Sequence, residues 1–225
     1  MIKHVFFDLD HTLWDFERNS AEAFKTIFQR NKVELDLGAF LTAYKPINEH
    51  YWKLYREERI SKPKLRYGRL SDAFKAVSHQ VNDELINTLS VQYIEHLPDH
   101  NALFQGAVNI LDYLSTKYSL HIITNGFNEV QHLKLSRSNI ANYFDQVITS
   151  ESVGVKKPNP KIFNHALERA QATPTESLMI GDSVEADVLG ALKVNMKAIH
   201  FNHDNRAVDA AITSINKLEE LKQFL

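Results

Sequence analysis

Five short apolar runs, four of them ending at polar clusters, constrain this chain more than any other feature. Val5-Phe6-Phe7 runs into Asp8-Leu9-Asp10, Leu120-His121-Ile122-Ile123 into Thr124-Asn125-Gly126, Val147-Ile148 into Thr149-Ser150-Glu151, and Leu178-Met179-Ile180 into Gly181-Asp182-Ser183; the fifth is Lys197-Ala198-Ile199-His200-Phe201. Continuous apolar runs of this length suit strands buried on both faces, as in a parallel sheet. Helical patterns lie between most of them: Val108, Leu111 and Leu114; then Leu133, Leu135 and Ile140, less regularly; then Ile162, Phe163, Ala166, Leu167 and Ala170. Alternation of strand and helix predicts right-handed βαβ units and a doubly wound, Rossmann-like α/β core.

Residues 16–97 read differently. They hold no convincing strand, and their apolar residues recur at helical spacing: Phe24, Ile27 and Phe28; Phe40, Leu41 and Tyr44; Ile47, Tyr51, Leu54 and Tyr55; Leu70, Phe74 and Val77; Leu85, Leu89 and Tyr93. Pro46, Pro63 and Pro98 punctuate the stretch. The expected organisation is an α/β core over 1–15 and 98–225 with a helical domain inserted over 16–97.

The bulk properties narrow the function. With 225 residues and 44% apolar content, a sizeable core is within reach. A formal net charge of -2 without long runs of one sign argues against a nucleic-acid polymer as partner. The absence of cysteine removes disulfides, thiolate catalysis and Cys-rich zinc sites. The apolar run at Val5 is too short for a signal peptide, and no stretch approaches membrane-spanning length, so a cytoplasmic protein with no membrane partner is expected. Of the eleven histidines, His96 and His100 are four apart but are separated by Pro98, which argues against a histidine metal site.

The chemistry is written at the strand ends. In open α/β sheets ligands bind at the carboxyl edge, near the switch in strand order. Asp8 and Asp10 lie two apart and address one side of a strand. Their repulsion is relieved by a hard divalent cation with oxygen ligands, and Asp182 brings a third carboxylate to the same edge. Asp187 follows about one helical turn later, in reach of Asp182 or Lys157. Thr124, Asn125 and Gly126 offer a hydroxyl, an amide and flexible backbone to phosphate oxygens. Lys157 precedes Pro158 at the opening of a helix, where an anion is already favoured. Each feature also has a plain reading as a turn, a cap or a solvated acid; their convergence on one edge favours a site.

These clusters resemble the four ordered motifs of the haloacid dehalogenase superfamily. Asp8-Leu9-Asp10-His11-Thr12-Leu13 is similar to the first, Thr124-Asn125-Gly126 to the second, Lys157-Pro158 to the third and Gly181-Asp182-Ser183-Val184-Glu185-Ala186-Asp187 to the fourth. The helical insert matches the family's C1-type cap. The resemblance implies a magnesium-dependent phosphatase in which Asp8 is the nucleophile and forms an aspartyl phosphate, while Asp10 is the general acid and base. It further implies that Asp8, the Asp10 carbonyl and Asp182 hold Mg2+, and that Thr124 and Lys157 bind the phosphoryl group. His11 stands where many relatives have glycine. Asn48, Trp52 and the Leu65-Arg66-Tyr67-Gly68-Arg69 stretch are similar to bacterial pyrimidine 5′-nucleotidases. That implies a pyrimidine nucleoside monophosphate as substrate, with Trp52 or Trp14 for stacking and Arg66 or Arg69 for polar contact. Alternatives are a phosphatase or phosphomutase of sugar or small-acid phosphates, such as a phosphoglycolate phosphatase, and a phosphate-binding module without catalysis. Either a monomer or a homodimer is compatible with the sequence.

Overall fold

A computed structural model describes residues 1–225, which divide into two compact units, Met1–Phe16 with Asn101–Leu225, and Glu17–His100. In the first unit, six parallel strands form one sheet: β1 (His4–Phe7), β2 (Ser119–Thr124), β3 (Phe144–Thr149), β4 (Ser177–Gly181), β5 (Lys197–Phe201) and β6 (Ser214–Ile215). Their order is β3-β2-β1-β4-β5-β6. The chain therefore builds outward from β1 through β2 and β3, then returns to the other side of β1 with β4. The switch point lies between β1 and β4, where ligands of doubly wound sheets bind.

Burial explains the strand assignments. Val5, Phe6 and Phe7 of β1 and Met179 and Ile180 of β4 are fully buried. Each such side chain contributes about 1.5–3 kcal/mol on leaving water. Strand β3, at the sheet edge, is only partly buried, which accounts for its weak two-residue signature Val147-Ile148. Strand β6 has just two residues and carries no apolar run; pairing with β5 defines it.

The helices correct two details. In α5 (Ala107–Ser115) the buried face is Ala107, Ile110, Leu111 and Leu114, and Val108 is exposed. In α6 (Asn128–Arg137) the buried residues are Val130, Gln131, Lys134 and Leu135, whereas Leu133 is exposed. The irregular stripe of α6 is thus a helix that turns polar side chains inward. Helix α7 (Pro160–Arg169) buries Ile162, Phe163, Ala166 and Leu167 against the sheet; Asn159 caps it, accepting from Lys161 N (3.0 Å).

The second unit is helical, with α1 (Phe16–Arg30), α2 (Leu37–Arg56), α3 (Lys62–Ala76) and α4 (Asp83–His96). Phe24, Phe28, Phe40, Tyr44, Phe74 and Tyr93 make an aromatic core; Phe24 stacks on Tyr93 with centroids 4.5 Å apart. Side-chain caps from Asp36, Ser61 and Asn82 open the last three helices. Pro46 does not break the chain as expected. Helix α2 continues through it, because the buried stripe Phe40, Tyr44, Asn48, Tyr51 and Tyr55 extends on both sides of the missing N–H. No helix is long and apolar enough to cross a membrane.

Candidate active site

Asp8 follows β1 directly, and its N–H donates to the Ile180 carbonyl of β4 (2.9 Å), which brings it level with the start of the Gly181-Asp182 turn. Carboxylate oxygens of Asp8, Asp182 and Asp187 lie within 4.8 Å of one another. Lys157 is the countercharge. Its ammonium, 2% exposed, meets Asp8 Oδ1 at 2.5 Å, Asp187 Oδ1 at 2.7 Å and the Ile123 carbonyl at 2.5 Å. Nζ donates hydrogen bonds to Asp8 and to the Ile123 carbonyl and faces Asp187 as an ion pair. One lysine does not balance three carboxylates. Burial pushes the Asp8 carboxyl well above the usual carboxylate range, against the pull of Lys157, with Asp187 and Asp182 adding to the rise. Asp182 is pushed up to about 8 by burial and then by Asp187. Burial alone would lower Lys157, but Asp187 and Asp8 raise it. Oxygen donors with excess negative charge are what a hard divalent cation selects, so the residues fit Mg2+.

Local backbone geometry builds this cluster. Ser183 opens a single π turn, Val184–Val188, and accepts from Ala186 N (3.1 Å). Such turns recur at functional sites. This one folds Asp187 back so that its Oδ2 accepts from Ser183 N (3.0 Å) while Oδ1 faces Lys157. A Cβ at position 181 would lie 2.2 Å from Asp187 Oδ2, so only glycine leaves room for that carboxylate. The Asp182 carbonyl accepts from His200 Nε2 (2.8 Å) and its carboxylate from the Thr12 hydroxyl (3.3 Å). His11 adopts φ 62°, the left-handed conformation that glycine favours, which gives a physical reason for glycine there in relatives.

A second constellation surrounds Asp10. Lys134 Nζ lies 2.5 Å from its Oδ1, and Gln131 Nε2 donates to its Oδ2 (2.9 Å). The same Gln131 amide donates to Thr124 Oγ1 (2.8 Å), which also accepts from Gly126 N (3.1 Å). With both acceptor positions of the hydroxyl filled, its single proton is free to be given to a phosphoryl oxygen. Gly126 serves a purpose the sequence did not suggest: a Cβ there would sit 2.4 Å from the Gln131 side chain. Asn125, expected on phosphate, instead braces the lysine loop. Its Nδ2 donates to the Lys157 carbonyl (3.0 Å) and its Oδ1 accepts from Lys157 N (2.8 Å).

Trp14, expected as a stacking surface, is fully buried, with the Lys134 ammonium 4.1 Å from its ring centroid. In the helical unit, Asn48 and Arg69 meet: Arg69 Nη1 donates to Asn48 Oδ1 (2.9 Å), and the guanidinium lies over the rings of Tyr93 (5.0 Å) and Tyr44 (5.9 Å). Trp52 is half-buried, edge-on to Tyr55 at 5.7 Å, and Arg66 is half-buried on α3. Gln131, Lys134, Thr12 and His200 escaped the reading of the sequence. For Gln131 and Lys134 the signal was present in the broken apolar stripe of α6.

The chain matches the model of the haloacid dehalogenase-like hydrolase family over residues 5–201. It is 32% identical to the pyrimidine 5′-nucleotidase YjjG of Escherichia coli (strain K12), covering 98% of this chain and 96% of that one. It is also 32% identical to the glyceraldehyde 3-phosphate phosphatase of Methanothermobacter thermautotrophicus, covering all of both chains. Among solved structures it is similar to a HAD-hydrolase, YfnB of Bacillus subtilis, bound to magnesium, with a TM-score of 0.89 at 28% identity over 100% of this chain and 98% of that one. The ordered strand-end residues and these likenesses agree: the chain belongs to the haloacid dehalogenase-like hydrolases, and it is a phosphatase of that family.

Proposed function

We propose that the chain hydrolyses phosphate monoesters with Mg2+ through a phosphoryl group carried on Asp8, and that pyrimidine nucleoside 5′-monophosphates are its substrates. The observation that carries the chemistry is the buried Asp8 carboxylate, held by Lys157 beside Asp182 at the switch point of the sheet. Asp8 attacks phosphorus in line as the bond to the leaving oxygen breaks, and Asp10 delivers a proton to that oxygen. Water then attacks the aspartyl phosphate, giving its proton to Asp10, and the bond between Asp8 and phosphorus breaks. Thr124 donates its free hydroxyl proton to the phosphoryl group, and Lys157 offsets charge at Asp8. Bound Mg2+, held by Asp8, Asp182 and the Asp10 carbonyl, supplies the remaining neutralisation that phosphoryl transfer requires. Asp187 and Asn125 fix Lys157 from either side.

The substrate class rests on the likeness to YjjG over nearly the whole chain and on the helical unit. We assign that unit as a C1-type cap in which Asn48, Trp52, Arg66 and Arg69 set specificity. Arg69 favours this reading because it is a buried cation whose neighbours are neutral, leaving its charge for an electron-rich group of a substrate such as a base carbonyl. Equal identity to a glyceraldehyde 3-phosphate phosphatase favours a second reading, a small sugar phosphate. Phosphate release with Mg2+ across UMP, dUMP, dTMP, purine monophosphates, glyceraldehyde 3-phosphate, phosphoglycolate and glucose phosphates separates the two. Preference for the pyrimidine monophosphates is expected. Preference for a sugar or acid phosphate discards the nucleotidase reading and keeps the site.

A further inference from the structure

The geometry points to Lys134 as the positioning residue that fixes the Asp10 carboxyl for proton transfer to the leaving oxygen. The inference deepens the reading above and rests on Asp10 being the acid–base group. A lysine on a helix ordinarily extends into water, yet Lys134 is 2% exposed. Burying an ammonium is costly unless it is paired with good geometry. Here Nζ meets Asp10 Oδ1 at 2.5 Å and rests on two aromatic faces, Trp14 at 4.1 Å and Phe16 at 5.4 Å. Trp14 is itself immobilised, paired through its backbone with Asp10 and Leu103 and wholly buried. The cation is therefore seated on a rigid floor.

Gln131, three residues earlier on the same face of α6, takes the other oxygen of Asp10 at 2.9 Å. Two donors on two oxygens fix both the rotamer and the plane of the carboxyl, while each oxygen keeps a second lone pair for proton exchange. Because Gln131 also holds Thr124, α6 sets the acid–base group and the phosphoryl-binding hydroxyl in one frame. Without Lys134, Asp10 is held by Gln131 alone and can turn away from the leaving oxygen. Small misplacements of this kind carry large rate penalties.

The defect is read in the leaving group. An alkyl phosphate, such as UMP or the best alkyl ester of the panel above, expels a basic alkoxide that needs the Asp10 proton. p-Nitrophenyl phosphate expels a phenolate that does not. The ratio kcat/KM reports steps through formation of the aspartyl phosphate, so it isolates this transfer. Lys134→Met is expected to lower kcat/KM for the alkyl ester at least about tenfold more than for the aryl ester, and Lys134→Arg to restore part of the difference. Equal losses on both esters, or no loss, overturn the inference. Lys134→Gln provides the same comparison if the methionine variant does not fold. Asp10→Asn is run alongside. If it shows no leaving-group dependence, the acid–base reading of Asp10 fails; if it does and Lys134→Met does not, only the role of Lys134 falls.

Discussion

Each unit of this molecule buries a long cation that can be set against one in the other, and these two are treated in opposite ways. Lys157 in the α/β unit and Arg69 in the helical unit are both 2% exposed. Lys157 faces two carboxylates and a carbonyl, all within 2.7 Å. Arg69 has one neutral amide oxygen and two tyrosine rings, and its Nε has no partner. The first arrangement is a closed charge cluster built for one chemistry. The second keeps a charge desolvated without an anion. The α/β unit therefore offers the proposed reaction a fixed polar geometry, whereas the helical unit holds a cation whose electrostatic reach has not been cancelled.

Loss of the buried cation should matter most at Lys157. Lys157→Met strands Asp8 and Asp187 as buried acids without their countercharge, and removing one partner of a buried pair costs about 3–5 kcal/mol. Urea unfolding of the metal-free protein should show that loss, with turnover abolished; a change within about 1 kcal/mol would mean the cluster is not an ionic unit. A buried titratable group remote from the strand-end cluster tests the same logic with the opposite sign of charge. His121 on β2 stacks near Phe6 and His4, and burial, with His4 adding to it, lowers its pKa to about 4 from 6.5. The unfolded chain takes up a proton below 6.5 that the folded chain refuses until about 4. The contribution of His121 to stability is thus full above the upper value and falls as pH drops through the window, by up to about 3 kcal/mol. The raised Asp8 and Asp182 carboxyls contribute the opposite slope, so the His121 window is read as the stability difference between the wild-type chain and His121→Phe, which should change in this sense from pH 7 downward; a difference independent of pH would remove it.

The smallest effect is expected at Arg69. Arg69→Met removes a cation and leaves no acid behind, and Asn48 Oδ1 retains the Tyr44 hydroxyl at 3.2 Å. Replacement of a buried charge by an apolar side chain of similar size is often neutral, so stability should shift by no more than about 1 kcal/mol. KM for the preferred nucleotide should rise while the unfolding midpoint holds. A loss of several kcal/mol with KM unchanged would make Arg69 a structural residue and remove its place in specificity.

The difference between the units also governs what could be read in the sequence. The candidate catalytic edge was legible because strand ends concentrate polar residues into contiguous clusters: Asp8 with Asp10, Thr124 with Gly126, Asp182 with Asp187. The family resemblance then ordered them. What escaped reading depends on contacts between loops distant in sequence. Asn125 looks like a phosphate ligand until its amide is found on the Lys157 backbone, 32 residues away. Trp14 looks like a stacking surface until Lys134 is found on its ring. Lys134 and Gln131 were hidden because a helical stripe is read by its apolar members, and here polar residues occupy the buried face. Strand β6 was hidden because two residues form no pattern. In the helical unit the stripes were plain, yet spacing does not say which polar residue is buried; Asn48 and Arg69, 21 residues apart, are joined only by packing.

The proposed mechanism turns on Asp8 carrying the phosphoryl group. The direct measurement is acid quenching of the enzyme during turnover with Mg2+ and its preferred substrate, followed by peptide mass spectrometry. One added phosphoryl group, labile to base, is expected on the peptide containing Asp8, and none in folded Asp8→Asn, which should release no phosphate. Phosphate release that persists in Asp8→Asn, or turnover with the label on another residue, would contradict it.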